Sequence, residues 1–459
     1  MFKSVHRKTE TVTHNMTEGS ILRLLIGFAL PLMLGNVFQM LYNTVDSVIV
    51  GNFVSKQALA AIGSTTMIVN MMVFFFNGFS VGAGVVISQF FGAGNTRGLH
   101  KAIETTFAAT FLLSLLFSVA GVILVNPLLR MMNTPDDVFR DAAAYLRIYL
   151  AGISGLLIYN MGSGILRAVG DSIRPLYFLI LTSILNIVLD LFFIIVLKTG
   201  IAGAAIATIL SQFVSAILIL GLLTRTGEIY RLDWKELKLD FPILRKIFAI
   251  GLPTGIQSVI TAFSNIFVQS YINFFGSDVM AGWSSYNKLD QFILLPIQSM
   301  AMAATTFVSQ NVGAREEQRA DQGTVTSMLL TSGVTGVIIA VLMIYAPAAV
   351  RLFSPDPKVI EYGVLFIRTN VPFLLFNCVN HVLAGALRGR GDSRGPMIIM
   401  LSTFVGVRQI YLYLVTHFVT NTPRIVGFGY PVGWFCCCTV ELIYYAHSVR
   451  RRRHLSALE

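Results

Sequence analysis

The chain has 459 residues, of which 55% are hydrophobic and only 12% are charged. Soluble globular proteins carry about 25% charged residues, so the composition excludes that class and indicates an integral membrane protein. The net charge of +11 does not indicate nucleic-acid binding, because the cations follow the loops between apolar segments. The N-terminal stretch is polar and lacks an apolar core, so we expect no cleaved secretory signal and a retained first helix.

The first apolar segment, residues 23–56, contains a single internal charge, Asp46. About 20 helical residues cross a hydrocarbon core, so this segment is long enough to span a membrane. Pro31 lies inside it and lacks the amide hydrogen of a helical bond, which predicts a kink. Gln39, Tyr42 and Asp46 are spaced i, i+3 and i+7, so the three polar groups share one face of the helix.

Similar apolar segments recur along the chain and predict twelve transmembrane helices. They cover approximately residues 20–44, 58–82, 102–126, 138–162, 174–197, 200–223, 245–274, 279–306, 324–349, 360–384, 395–417 and 426–448. Of the 34 Lys and Arg residues, 23 fall in segments on the side of the N-terminus and 7 on the opposite side. By the positive-inside rule, both chain termini are expected in the cytoplasm.

The two halves of the chain repeat each other at a displacement of about 221 residues. The corresponding segments are LRAVGDSIRP (166–175) and LRGRGDSRGP (387–396), SQFFGAG (88–94) and SQNVGAR (309–315), and the helices around Pro31 and Pro253. Each half holds six predicted helices, an even number, so both halves enter the membrane from the same side. The repeats are therefore parallel and related by an axis along the membrane normal.

The predicted fold class is an all-α integral membrane protein with twelve transmembrane helices in two six-helix bundles related by a parallel internal repeat. Such architectures place their substrate route between or within the bundles and work by rocking. The predicted division is a cytoplasmic arm (1–19), an N-lobe (20–224), a cytoplasmic linker (225–243), a C-lobe (244–449) and a basic cytoplasmic tail (450–459).

Motifs of enzyme chemistry are absent from the sequence, and we expect no enzymatic activity and no cofactor. There is no Walker A spacing, no His/Cys cluster and no Ser-His-Asp arrangement. The consecutive cysteines 436–438 point about 100° apart on a helix and cannot all face one metal, so we interpret them as packing residues. The two Gly-Asp-Ser segments are typical of turns, and we interpret them as structural.

Polar side chains recur at one depth of the predicted N-lobe. Asn186 and Asp190 are four residues apart and share a face of the fifth helix, and Thr208 lies on the sixth. Counting about 1.5 Å per residue brings these groups and Asp46 to the same outer half of the bilayer. The pattern predicts an oxygen-rich pocket for a monovalent cation or a shared proton. The alternative for Asp46 is that it caps the first helix at the outer interface.

The C-terminal half does not repeat this pocket, because Asp46 and Asp190 correspond to Val268 and Tyr411. Charged residues within its predicted helices include Lys288, Asp290, Arg408 and Glu441. These charges either form ion pairs that fix helix packing or take part in function, and the sequence leaves both readings open.

The kinked segment ALPLMLGNVFQMLYNTVDSVIVG, the two Gly-Asp-Ser loops and NIVLD on the fifth helix resemble the multidrug and toxic compound extrusion (MATE) family over residues 20–448. The resemblance implies two six-helix lobes and efflux of cationic, amphipathic compounds by antiport against H⁺ or Na⁺. It assigns to the N-lobe cation site Asp46, Asn186, Asp190 and Thr208, which could hold Na⁺, with Gln39 and Tyr42 beside them and Pro31 at the bend.

The resemblance also implies a difference from the NorM-type branch of the family. That branch has a glutamate on the seventh helix and an aspartate on the tenth, whereas here the seventh helix has no acid and Asn377 stands at the tenth-helix position. We therefore expect no C-lobe cation site, assign Asn377 to the substrate pocket, and place the chain closer to the DinF/MepA-like side of the family.

A second function stays open, because lipid-linked oligosaccharide flippases of the same superfamily share this architecture. Lys288, Arg368 and Arg408 would suit the anionic headgroups of such lipids, whereas Asp46 and Asp190 favour cationic cargo. We favour efflux of small molecules, by a monomer in the plasma membrane with lipid as its surroundings. A receptor is disfavoured, because the chain contains no sizeable soluble ligand-binding or signalling segment.

Overall fold

A computed structural model describes residues 15–456, and the regular structure within that range is entirely helical. The N-terminal half contains α1 (Ile21–Phe53), α2 (Lys56–Gly92), α3 (Thr96–Met131), α4 (Asp136–Ala151), α5 (Ile153–Ala168), α6 (Ile173–Leu191) and α7 (Ile201–Arg225). The C-terminal half contains α8 (Phe241–Asn273), α9 (Ser277–Gly313), α10 (Glu317–Arg351), α11 (Pro357–Asn370), α12 (Leu374–Gly389), α13 (Arg394–Met400), α14 (Arg408–Phe418), α15 (Pro423–Gly427) and α16 (Gly429–Ser456).

The predicted all-α architecture of membrane-spanning helices is confirmed. Eleven helical stretches of the described chain are long and apolar enough to cross a membrane, and the pair α4–α5 makes a twelfth. That pair is bent by 47°, whereas the sequence predicted one continuous helix over 138–162. The bend falls at Gly152, where any Cβ atom would collide with the side chain of Ile209 on α7. A glycine is required there because α7 approaches the backbone of the bend closely.

Each half folds into a bundle, and the two bundles meet along a seam of small residues. In the N-lobe α1 packs on α6, and both α5 and α6 pack on α7. In the C-lobe α9 packs against α10, α11 and α12. Between the lobes α2 packs along α8, with Gly78 against the backbone of Gly255 and Gly82 against Gly251. Small residues of this kind let membrane helices approach to backbone contact.

The aspartates of the Gly-Asp-Ser loops accept hydrogen bonds from backbone amides at the start of the helices that follow. Asp171 accepts hydrogen bonds from the amides of Ile173 and Arg174 at 3.1 Å each, at the start of α6. In the second loop Asp392 accepts from the Gly395 amide at 2.9 Å, at the start of α13. These carboxylates satisfy amides that have no partner within the helix, as helix-capping residues do.

The SQ segments singled out by the repeat close the seam at the end of the bundles where the described range 15–456 begins and ends, which we call the terminus side. The Gln89 amide donates to the Gly389 carbonyl at 3.1 Å, across the lobes. The Gln310 amide donates to the Ala168 carbonyl at 2.8 Å, in the opposite direction. Donors and acceptors are both related by the repeat displacement of about 221 residues, so the two bonds form one pseudo-symmetric pair.

The N-terminal segment strengthens this closure, which we call the terminus-side latch (Gln89, Gln310, Ala168, Gly389 and Met16). The Met16 amide donates to the Gln310 side chain at 2.9 Å. Asn311 and Arg319 both donate to the Met16 carbonyl. The structure is therefore closed between the lobes on the side of the chain termini.

The orientation in the membrane gives a first testable prediction. Single cysteines at the exposed positions Lys235 and Glu316 should react with a membrane-impermeant maleimide only from the cytoplasm. Cysteines at the exposed positions Lys198 and Lys358, at the other ends of the bundles, should react only from outside. The half-buried native Cys436 is replaced by serine in all variants. Labelling of Lys235→Cys in intact cells would contradict the assigned orientation.

Candidate functional site

Helix α1 presents the polar face predicted from its spacing to a cavity inside the N-lobe. Pro31 removes the amide that would bond to the Gly27 carbonyl, which weakens α1 at that point without ending it. One turn further, Gly35 faces α6, where a Cβ atom would make ordinary van der Waals contact with Leu179 at 3.5 Å and with Leu176 at 3.6 Å. The helix is thus held close to α6 beside its weakest backbone position.

A cavity between α1, α5, α6 and α7 has a volume of about 120 Å³, and its lining combines apolar surface with many polar side chains. Five of the residues predicted from the sequence line it, namely Pro31, Gln39, Tyr42, Asn186 and Thr208. Polar residues that were not predicted from the sequence also line it, namely Asn36, Tyr159, Asn160, Arg167, Ser172, Thr182, Ser183, Ser211, Gln212 and Ser215. A cavity of this chemistry can surround a small polar or cationic group.

Two carboxyl groups lie side by side next to this cavity. Asp190 on α6 is completely buried, and its side chain interacts directly with that of Asp46 on α1. Asn186, one turn before Asp190, is buried as well and lines the cavity. Asp46 is therefore not a solvent-facing cap at the end of α1, because it lies half-buried against another acid.

The polar atoms around this acid pair lack other hydrogen-bond partners in the described chain. Both oxygens of Asp190, one oxygen of Asp46, and the side-chain oxygen and nitrogen of Asn186 are buried without one. Leaving a buried polar group unsatisfied costs about 1–3 kcal/mol, so such a group is available for a ligand. The Thr208 hydroxyl donates to the Ala204 carbonyl at 3.0 Å, which leaves its lone pairs free to accept.

The donor set suits a hard monovalent cation or a proton rather than a transition metal. Its ligands are carboxylate, amide and hydroxyl oxygens, which Na⁺ and other hard cations favour. Within residues 15–456, no group of three or more His, Cys, Asp or Glu residues could hold a metal ion. A proton or cation placed between Asp46 and Asp190 would remove the repulsion between two buried negative charges.

One set of the missed residues follows a pattern that the sequence contains. Thr208, Ser211 and Ser215 are spaced three and four residues apart and form a hydroxyl stripe along α7, with Gln212 beside it. The stripe was detectable as helical periodicity of small polar residues. Tyr159 and Asn160 were not detectable in this way, because their direction depends on the bend between α4 and α5.

Arg408 and Asp290, two charged residues within the C-lobe helices, have no ion-pair partner among the described residues. Arg408 donates to the Ser264 hydroxyl at 2.7 Å, and its guanidinium lies 4.7 Å from the ring centre of Tyr430. Asp290 accepts from the Tyr286 hydroxyl at 3.4 Å. The interpretation of Arg408 and Asp290 as members of salt bridges is therefore wrong, and neutral or aromatic partners hold both charges.

Other C-lobe residues singled out by the sequence lie away from the N-lobe cavity. Lys288 lies 5.4 Å from the ring centre of Phe353. Glu441 is fully buried on α16 and interacts with the charge of Arg388. Asn377 is buried on α12 and is not among the residues lining the cavity of the N-lobe. A role for Asn377 in substrate binding stays a prediction.

A family model, MatE, matches the chain twice, over residues 31–192 and 253–414. Among curated relatives, the probable multidrug resistance protein YpnP of Bacillus subtilis is 29% identical over 95% of this chain and 97% of its own length. The probable multidrug resistance protein NorM of Thermotoga maritima is 29% identical, covering 83% of this chain and 82% of its own. The multidrug export protein MepA of Staphylococcus haemolyticus is 22% identical, covering 84% and 85%.

Solved structures resemble the whole chain in fold. A MATE protein in the bent conformation superimposes with a TM-score of 0.92 at 23% identity, covering 98% of this chain and 100% of its own. A MATE family multidrug resistance transporter in an outward-facing conformation gives a TM-score of 0.91 at 23% identity, covering 97% and 99%.

Proposed function

The chain belongs to the MatE family, and on this premise we propose that it is a secondary active transporter that exports cationic, amphipathic small molecules, drugs among them. The driving reaction is entry of H⁺ or Na⁺ down its gradient. The curated relatives are described as multidrug resistance and multidrug export proteins, which supports drug efflux as the activity. The site of action is the plasma membrane, with both termini in the cytoplasm.

The observation that carries the proposal is the adjacent pair of the half-buried Asp46 and the buried Asp190 beside the N-lobe cavity. Two adjacent buried acids without other partners are unfavourable when both are charged. A cation or proton arriving from one side of the membrane stabilises the pair, and its release to the other side restores the charged state. The pair can therefore take up and release one positive charge per cycle.

Ion entry is coupled to substrate export if the acid pair favours one arrangement of the N-lobe with a bound cation or proton and another arrangement without it. Asp46 lies on α1 and Asp190 on α6, so their attraction or repulsion acts between two packed helices. Pro31 weakens α1 on the terminus side of Asp46 and allows it to bend. Cation and cargo then bias the same two-state element, which is the physical requirement for exchange.

The flippase alternative finds less support in the arrangement of the cations. Lys288, Arg368 and Arg408 do not converge on one cavity in the described chain. Arg167 alone faces the N-lobe cavity, which two acids adjoin. A transport cavity for anionic headgroups would need several cations directed into the space inside the lobe. The three arginines that do share a pocket, Arg351, Arg368 and Arg424, lie instead at the end of the C-lobe opposite the chain termini.

The proposal is tested in proteoliposomes that hold the purified chain and a fluorescent cationic dye. Imposed pH and Na⁺ gradients are applied separately. We expect one of them to drive the dye against its own concentration gradient, and an ionophore that dissipates that gradient to stop the movement. Dye movement that is equal with and without both gradients would contradict secondary active transport.

A further inference from the structure

The end of the C-lobe opposite the chain termini contains an arginine-lined pocket that is separate from the N-lobe cavity. Its volume is about 1050 Å³. Arg351 reaches it from the last turn of α10, Arg368 from the last turn of α11, and Arg424 from α15. All three arginines are exposed, and Glu361 is the acidic residue among those lining the pocket.

None of the three guanidinium groups has an ion-pair partner within 4.0 Å among the described residues. The nearby Lys358 differs from the three arginines, because its ammonium group is paired with the Asp278 carboxylate at 3.7 Å. Outside segments of membrane proteins carry few cations under the positive-inside rule. Three unpaired arginines around one pocket therefore indicate an anionic ligand, and arginine forks match phosphate oxygens in particular.

The internal repeat provides a comparison within the same molecule. The corresponding pocket of the N-lobe has a volume of about 410 Å³ and contains Arg130 together with Asp136. There Arg147 donates to the Asn126 side chain at 2.9 Å. The N-lobe arginines thus have polar or acidic neighbours, and this pocket is more nearly neutral.

The C-lobe has lost each of these neighbours by substitution at the corresponding position. Asn126 corresponds to Pro347, so Arg368 lacks the amide partner that Arg147 has. Asp136 and Asp137 correspond to Pro357 and Lys358, while Asp356 takes the place of Pro135, so the start of the C-lobe helix has one carboxylate fewer. Pro347 also lies beside the non-helical Tyr345 (φ −102°, ψ 17°), where α10 is kinked and the pocket opens.

Apolar side chains of α10 next to these arginines are exposed on the helix surface. Ile344 is 70% exposed and Leu352 is 80% exposed. In a membrane protein such residues contact acyl chains, and Arg351 directly precedes Leu352 in the sequence. An occupant with a phosphate group and an apolar tail would satisfy both features together.

We propose that Arg351, Arg368 and Arg424 form a binding site for the phosphate headgroup of an anionic phospholipid. The lipid lies in the leaflet opposite the chain termini, with its acyl chains against the kinked end of α10. The site is independent of the transport activity proposed above, since it lies in the other lobe and shares no lining residue with the N-lobe cavity.

The test is native mass spectrometry of the purified full chain in detergent with phosphatidylglycerol or phosphatidylcholine of the same acyl chains. We expect preferential retention of phosphatidylglycerol. Each of Arg351→Gln and Arg424→Gln should lower that preference about fivefold, since a basic residue at an anionic surface contributes about 1 kcal/mol. The matched control is Arg130→Gln, which changes the corresponding arginine of the N-lobe and should leave the preference unchanged.

Glu361→Gln removes the one acid of the pocket and should increase retention of phosphatidylglycerol, which tests the site with a gain rather than a loss. All variants are first checked for a monodisperse elution profile. Equal retention of both lipids by the unmodified chain would overturn the proposal. Full displacement of phosphatidylglycerol by millimolar inorganic phosphate would also overturn it, because the site would then bind free phosphate rather than a lipid.

Discussion

Replacing Asp46 or Asp190 by asparagine is expected to abolish uphill efflux while leaving the protein folded and able to bind substrate. Asparagine has nearly the same shape but cannot gain or lose a proton, and it attracts a cation far less than a carboxylate does. A tenfold ion gradient supplies about 1.4 kcal/mol per ion, which can sustain about a tenfold substrate gradient in one-to-one exchange. In either variant the substrate ratio across the membrane should relax to about 1.

The measurement is gradient-driven dye efflux in proteoliposomes, combined with equilibrium dye binding to the purified variant. Asn377→Ala is the matched control, because it changes a buried polar residue of the other lobe without removing a carboxylate. It should alter substrate range or rate but retain coupling. Normal uphill transport by both aspartate variants would refute the coupling mechanism. Complete loss of coupling in Asn377→Ala would refute the restriction of the ion site to the N-lobe.

The polar groups of α1 and α6 could be brought together from the sequence because helix geometry fixes their depth. A rise of about 1.5 Å per residue relates Asp46 and Asp190 to the charged ends of their helices without knowledge of helix packing. The structure places their side chains next to each other. The period of 3.6 residues likewise put Gln39 and Tyr42 on the face of α1 that lines the cavity. Their role in coupling stays a prediction.

The remainder of the cavity depends on contacts between helices that a local pattern does not contain. The bend between α4 and α5 forms where Ile209 of α7 approaches Gly152. Tyr159 and Asn160 lie on α5, beyond that bend, and line the cavity. Nothing within residues 138–162 indicates the position of α7, so the segment was predicted as one straight helix.

The partners of the charged residues in the C-lobe helices could not be predicted from the sequence either. Charged residues buried in a membrane need partners, but the sequence does not say which kind. Arg408 reaches Ser264 and the Tyr430 ring, and Asp290 reaches Tyr286, so hydroxyls and an aromatic face take the place of opposite charges. Ser264 lies 144 residues from Arg408 in the chain, beyond any periodic signal, whereas Tyr286 lies only four residues before Asp290 on the same helix.

The terminus-side latch was visible in the sequence only as a repeated SQ segment. The repeat identified Gln89 and Gln310 as equivalent positions, but their acceptors, the carbonyls of Ala168 and Gly389, are backbone atoms of the opposite lobe. Backbone acceptors carry no residue-type signal. The contact joins the two lobes directly, so we expect it to break when the lobes separate on that side.

Two glycines make the latch possible, since Gly92 lies against the Gln310 carbonyl and Gly313 lies against the Gln89 carbonyl. Replacing either by alanine places a Cβ atom where a backbone carbonyl lies, so the lobes cannot close fully on the terminus side. Overpacking of this kind typically costs about 1–3 kcal/mol, which shifts the equilibrium between closed and open states about 5- to 150-fold. We expect Gly92→Ala and Gly313→Ala to favour opening towards the chain termini and to slow transport strongly.

The opening can be measured by pulsed electron paramagnetic resonance between spin labels at Arg97 and Gln318, which are exposed and occupy equivalent positions of the two lobes. Longer distances should be populated in Gly92→Ala and Gly313→Ala. Gly333→Ala on α10 is the control, because a Cβ atom there meets nothing within 4 Å. Alanine in a helix is otherwise more favourable than glycine by about 0.5–1 kcal/mol, so general destabilisation is not expected. Unchanged distances and transport in both latch variants would show that the closed latch does not limit the transport cycle.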